Sequence, residues 1–285
     1  LLKNIRTLKA NIETTTDKPR PYGMDNTVSL WINDLNNNGV IYGGKDPASS
    51  TPSLLSGLNP GEFIYAYGTM RSGGRNVYAL DVTDRAAPKL LWQIKGGSTT
   101  GFTQLGQTWS APVVTKVKIG STDTDVLIFA GGYDADQDTK TSYSADDVGN
   151  ALYIVNAKTG ALIWSASSTG SPTMTLSKMT YSMPASPRAI DLNGDGLADQ
   201  FFIGDMGGQV WRFFINNGNS ASTLVSQTDS DGNGTLASAD GVFASIGGTG
   251  AANLRRLCNS PDLALTKHNG SIQLAVSIGS GYRGH

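Results

Sequence analysis

SAPVVTKV (Ser110–Val117), DVLIFAGGYD (Asp125–Asp134), GNALYIVNAKTG (Gly149–Gly160) and ALIWSAS (Ala161–Ser167) follow one another as four short runs rich in strand formers, separated by Gly, Asp and Ser turns. Runs of this length and punctuation read as one antiparallel four-strand sheet. The same order recurs on both sides. Upstream stand TVSLWIND, EFIYAYG, GGRNVYALDVTD and KLLWQI; downstream stand SPRAID, QFFIGD, GGQVWRFFIN and, less clearly, GVFASI. A further unit begins at SPDLALTK and IQLAVSIGSG. Aligning the units puts NVYALDV, ALYIVNA and QVWRFFI at equivalent third-strand positions and places Trp92 and Trp164 in equivalent fourth strands. Four-strand units repeated in series mean a β-propeller. The sequence therefore predicts an all-β chain: a lead-in over residues 1–26, then antiparallel four-stranded blades over about 27–95, 108–167 and 183–246 and a partial blade over 261–285. Three and a half units are fewer than most closed propellers hold, so the chain reads as an incomplete part of a longer propeller. Its LLKNIR start, without an initiator Met, points the same way.

Composition narrows the function classes. Lys plus Arg number 22 against 23 for Asp plus Glu, a formal net charge of -1, so no global field recruits nucleic acid or an anionic membrane. Apolar runs such as VLIFA and LYIV are far shorter than the roughly 20 residues of a spanning helix, which predicts no membrane span. Cys258 is the single cysteine, so an intrachain disulfide is impossible, and a small buried hydrophobe is the natural reading of it. The two histidines, His268 and His285, have no nucleophile or metal-ligand partner nearby in sequence, and no GxSxG elbow is present. The pairs Gly73–Gly74, Gly131–Gly132 and Gly207–Gly208 lack a Walker lysine and recur before strands, which marks them as blade turns.

The motif that carries chemistry is DLNGDGLAD, Asp191 to Asp199. Calcium takes six to eight oxygen ligands, and an EF-hand loop supplies them from alternate positions, with glycine at the sixth and a backbone carbonyl at the seventh. Here those donors are Asp191, Asn193, Asp195, the carbonyl of Leu197, and Asp199, with Gly196 at the sixth position. The twelfth position is Phe202, so the last carboxylate must come from Asp199 at the ninth. The flanks PRAI and QFFIGD are strand-like, which predicts a calcium loop joining the first two strands of a blade rather than an EF-hand. An Asx turn without metal is the alternative. Three carboxylates in nine residues repel one another without a cation, which favours calcium.

Three other acidic stretches compare with it. DLNNNG, Asp34 to Gly39, occupies the same place in the first blade but has one carboxylate, with Tyr42 and Lys45 at its ninth and twelfth positions, and reads as an Asx turn. DSDGNGTLASAD offers a second calcium candidate in Asp229, Asp231, Asn233, Thr235 and Asp240, with Gly234 at the sixth position; a polar linker is the competing reading. The run DADQD, Asp134 to Asp138, with Asp146 and Asp147, lacks a coordinating spacing and reads as a solvated hairpin loop.

The ordered set WIND with DLNNNG, YAYG, RSGGRNVYALDVTD, PKLLW, LGQTWSAPV, FAGGYD, GNALYIVNAKTG, DLNGDGLAD, GDMGGQVWRF and GSGYR resembles the propeller domain of the PilY-type tip-associated adhesins of bacterial type IV pili, from about Tyr22 to the end. The resemblance implies a calcium-binding, modified quinoprotein-like propeller in the C-terminal part of a large secreted, noncatalytic protein. That protein would act at the pilus tip in assembly, in the balance of extension and retraction, and in surface attachment. Pilin or minor pilins, and host or abiotic surfaces, are the implied partners. The family's calcium ligands map onto Asp191, Asn193, Asp195, Leu197 and Asp199. Two other functions fit the same motifs. NAKTGALIW and LDVTDRAAPKLLW resemble the blade motif of pyrroloquinoline-quinone dehydrogenases, although one Cys cannot form the vicinal pair often beside that cofactor. A passive assembly scaffold with purely structural calcium is the other.

Overall fold

A computed structural model describes residues 22–39, 41, 61–227, 241–248 and 253–281. The first blade is β1 (Ser29–Asn33), β2 (Phe63–Thr69), β3 (Asn76–Asp81) and β4 (Lys89–Lys95), antiparallel and hydrogen-bonded in chain order. The second is β5 (Val113–Ile119), β6 (Thr122–Ala130), β7 (Ala151–Asn156) and β8 (Leu162–Ser167), with a short parallel edge strand β9 (Met174–Thr175) that the sequence did not announce. In the third, β10 (Arg188–Ile190), β11 (Gln200–Gly204) and β12 (Gln209–Ile215) take the first three places. Its fourth place is shared. β13 (Val225–Ser226) pairs with Phe214 and Ile215 at one end of β12, and β14 (Val242–Ser245) pairs with Gln209 to Trp211 at the other. GVFASI is thus half of an interrupted fourth strand. The hairpin β15 (Asp262–His268) and β16 (Ser271–Ser277) follows. Among the described residues these three blades and the hairpin are separate sheets that do not close into a ring.

Alternation along the middle strands explains why Val126–Ala130 of β6 and Ala151–Val155 of β7 are apolar throughout. Side chains on a strand point to opposite faces in turn. Val126, Ile128, Leu152 and Ile154 pack with Phe201, Ile203, Trp211 and Phe213 of blade three. The intervening Leu127, Phe129, Tyr153 and Val155 pack with Tyr67, Val77, Ala79 and Trp92 of blade one. Both faces are covered, so β6 and β7 read as continuous hydrophobic runs. Blade one, by contrast, leaves Leu30, Ile32 and Leu90 exposed.

Two glycines hold the blades together by what they lack. Gly132, in the turn between β6 and β7, has φ +90, and a Cβ there would lie 2.0 Å from the Gln107 carbonyl oxygen. Its N–H reaches the Met183 carbonyl at 3.1 Å, tying the turn toward blade three. Gly160 ends the NAKTG turn with φ +71 against the ring of Trp92 in the neighbouring blade, where a Cβ would come within 2.7 Å. Trp92 itself donates from its indole N–H to the Ala157 carbonyl at 3.1 Å. The turn glycine and the fourth-strand tryptophan are therefore one inter-blade contact. Among the described residues no helix is long and apolar enough to cross a membrane.

Candidate metal loop

The loop Asp191–Asp199 joins β10 to β11, as its strand-like flanks predict. Residues 191–196 are exposed, while Leu197 and Ala198 are buried and root the loop. The root is an inter-blade anchor. Ala198 donates its N–H to the Lys116 carbonyl of β5 at 2.9 Å. The Asn217 side chain donates to the Ala198 carbonyl at 3.0 Å and accepts from the Lys118 N–H at 2.8 Å. Asp199 donates its own N–H to Ile190 O, and its carbonyl accepts from Ile215 N–H.

The side-chain oxygens organise the turn from inside. Asp191 accepts from the N–H groups of Gly194 (2.7 Å) and Gly196 (2.8 Å), Asn193 from Asp195 N–H (2.8 Å), Asp195 from Leu197 N–H (2.8 Å), and Asp199 from Leu192 N–H (2.7 Å). Gly194 (φ +79) and Gly196 (φ +85) supply the left-handed turns this winding needs. The Gly196 N–H, aided by the other backbone donors, holds the Asp191 carboxyl below its ordinary value. A carboxylate has about four lone-pair sites, so these bonds leave capacity on every oxygen-bearing residue of the set. The donor chemistry, all hard oxygen with three carboxylates, fits calcium. Convergence is not built in: among the described residues no three His, Cys, Asp or Glu side chains group closely enough to hold a metal as they stand. Closing around an ion would require side-chain rotation. The second candidate set, Asp229, Asp231, Asn233, Thr235 and Asp240, lies outside the described residues.

The stretch 134–147 departs from the solvated loop expected of it. Asp134 and Asp146 are buried, whereas Asp136, Asp138 and Asp147 are exposed. Asp146 accepts from the Gln137 amide at 2.9 Å to each oxygen and from Ser182 N–H at 2.7 Å, and it pairs with Lys140. Asp134 accepts from the N–H groups of Asp136, Asp147 and Val148. Sequence spacing could not show this, because Ser182 is 36 residues from Asp146. Asp205, after β11, is a further buried carboxylate that sequence reasoning passed over: it accepts from Gly207 and Gln209 N–H, the Gln209 amide and the Trp211 indole, all at 2.8–2.9 Å. Burial nevertheless pushes its pKa up to about 7. Cys258 is half-buried rather than buried, with its sulfur 3.6 Å from that of Met206.

The sequence model of the family described as the PilY1 beta-propeller domain matches residues 58–270. The chain belongs to that family. The type IV pilus biogenesis factor PilY1 of Pseudomonas aeruginosa (strain UCBPP-PA14) is 32% identical over 146 residues, 51% of this chain and 11% of the relative. A PilY1 homolog of Xylella fastidiosa (strain Temecula1) is 27% identical over 171 residues, 57% of this chain and 10% of the relative. The chain thus spans about a tenth of the length of the curated PilY1 relatives it matches. The crystal structure of the Pseudomonas aeruginosa PilY1 C-terminal domain superposes with a TM-score of 0.54 at 25% identity, covering 78% of this chain and 41% of that one. The PilY-type architecture and the ordered motifs that resemble it therefore agree.

Proposed function

We propose that this PilY1-type propeller is a calcium-binding, noncatalytic module of a type IV pilus tip adhesin, acting in pilus assembly, in the balance of extension and retraction, and in surface attachment. Pilin or minor pilins are its partners at the tip. The family membership and the relatives' identity as type IV pilus biogenesis factors support the pilus part. The observation that supports the calcium part is the construction of the 191–199 loop: a largely exposed turn rich in hard oxygen donors on a root bonded to the neighbouring blade. Calcium would be held by Asp191, Asn193, Asp195, the Leu197 carbonyl and Asp199. When bound it supplies charge compensation to three carboxylates and fixes their side chains. The consequence is mechanical, because ordering the loop also stiffens Ala198 and Asn217, which bridge to Lys116 and Lys118 of blade two. A ligand biases a conformational equilibrium only through its differential affinity for the two states, so the metal-free loop must be the more mobile one.

Calorimetric calcium titration of the chain and of Asp195→Ala, with thermal melts of both, tests the reading. The expected result is a binding event in the parent that the variant loses while keeping its fold. A parent chain without any binding event would reduce the loop to an Asx turn. Hydrogen-exchange protection at residues 191–204 should rise with calcium; equal protection with and without it would leave binding without a switch.

A further inference from the structure

Strand register reveals a relation between the blade-one and blade-three loops that sequence spacing hides. Asn33 pairs with Phe63 at the end of the β1–β2 ladder, as Ile190 pairs with Gln200 at the end of β10–β11. Asp34 is therefore the counterpart of Asp191, and Glu62 the counterpart of Asp199. The backbones agree: Asn37 (φ 54) and Gly39 (φ 75) take the left-handed places of Gly194 and Gly196. So do the bonds, since Gly39 N–H donates to Asp34 at 2.8 Å and Asn38 N–H to Asn36 at 3.0 Å, matching Gly196 to Asp191 and Asp195 to Asn193. The closing carboxylate of the blade-three loop thus has an equivalent in blade one, displaced along the chain but not in the sheet.

Glu62 is where the observation becomes chemical. Its side chain is only 7% exposed, and one carboxylate oxygen accepts from the Asn36 N–H at 3.4 Å, which places the head group against the loop. The other oxygen, Oε2, is buried with no hydrogen-bond partner among the described residues. Buried polar atoms in native proteins are normally satisfied, and an unsatisfied carboxylate oxygen is costly. Nothing in an ordinary Asx turn calls for a buried glutamate. A cation does.

We propose that Asp34, Asn36, Asn38 and Glu62 form a second binding site for a divalent, oxygen-preferring cation, calcium, one blade removed from the family-like loop. Two carboxylates and two amide oxygens replace three carboxylates and one amide oxygen, so this site binds more weakly, affinity in such loops following the ligand charge count. The longer glutamate side chain spans from the strand end to the loop, as its contact with Asn36 shows. The site is independent of whether residues 191–199 hold calcium.

The test is calcium chloride titrated calorimetrically into the metal-stripped 285-residue chain, Glu62→Gln, Asp34→Asn and Asp195→Ala, each with a melt in chelator. Two events are expected in the parent. Glu62→Gln and Asp34→Asn should weaken the weaker event by roughly tenfold or more and spare the tighter one, while Asp195→Ala does the reverse. Glu62→Gln should melt no lower than the parent in chelator, since it removes a buried charge and keeps the shape. Unchanged isotherms in both Glu62→Gln and Asp34→Asn would overturn the second site, as would a single parent event that Asp195→Ala abolishes. Failure of the 191–199 loop instead shows as an Asp195→Ala isotherm equal to the parent's. Should Glu62→Gln not fold, Asp34→Asn, which keeps an acceptor oxygen for the Gly39 N–H, decides by the same criterion.

Discussion

The acidic stretches 134–147 and 191–199 put the same residue type to opposite uses. In the first, Asp134 and Asp146 are buried and turned inward on backbone N–H groups, a glutamine amide and Lys140. In the second, Asp191 and Asp195 stand in solvent and bond only within their own turn. The difference teaches that acid count does not identify a metal loop. What matters is whether the carboxylates still have lone pairs facing open space. Both oxygens of Asp146 meet fixed donors and a counter-ion, from its own stretch (Gln137, Lys140) and from the distant Ser182, so it acts as a staple. The 191–199 set retains coordination capacity because its donors come from a single short turn.

The largest effect should come from breaking the staple. Asp146→Ala leaves the Gln137 amide, the Ser182 N–H and Lys140 without their shared partner inside the protein. Removing one member of a buried charged pair typically costs about 3–5 kcal/mol, so urea unfolding should show a loss of that order, whereas Asp195→Ala in calcium-free buffer should not. A loss under about 1 kcal/mol for Asp146→Ala would mean that water takes over those donors and that the two loops do not differ in kind.

How far each part was legible follows from where its partners lie. β6 and β7 were plain in sequence because both faces are buried, and periodic apolar residues with Gly punctuation survive as local pattern. The 191–199 turn was legible for the same reason: every bond it makes from a side chain stays within eight residues. The burial of Asp146 was not, since Gln137, Lys140 and Ser182 converge only through the fold. Glu62 was missed because residues 35–61 separate it from Asp34, so counting to the ninth position of DLNNNG lands on Tyr42. The interrupted fourth strand of blade three was hidden by the residues between β13 and β14.

Asp205 sharpens the comparison from the buried side, because its four donors are all neutral and, among the described residues, no cation is seen to offset its burial as Lys140 does for Asp146. Burial raises its pKa from 3.8 to about 7 in the folded state. A raised pKa means that the folded state holds the proton more tightly. The stabilisation is therefore full below about pH 4 and is lost as pH rises through 7. At 1.36 kcal/mol per unit, the loss between pH 4 and 8 is on the order of 2–4 kcal/mol. Urea unfolding of the parent and Asp205→Asn across that range isolates it. The deficit of the variant should be largest near pH 4 and shrink steadily toward pH 8, and a deficit constant with pH would show that the four N–H donors hold Asp205 ionised throughout.

The smallest effect is the most diagnostic for the exposed loop. In calcium-free protein Asp195 contributes one acceptor to the Leu197 N–H, which the oxygen of an asparagine can supply equally, and one to the Asn193 amide at 3.2 Å. It also carries a charge near those of Asp191 and Asp199. Two unit charges 4 Å apart repel by about 1 kcal/mol in water, and by less at greater separation or in salt. Asp195→Asn should thus shift metal-free stability by no more than about 0.5 kcal/mol, in the stabilising direction at low ionic strength and toward zero in 1 M salt. The same substitution should still weaken calcium binding, because it removes one of the three carboxylates. A metal-free loss above about 1 kcal/mol that ignores salt would make Asp195 a staple like Asp146, and the loop would then be a turn that needs its charges for shape rather than for an ion.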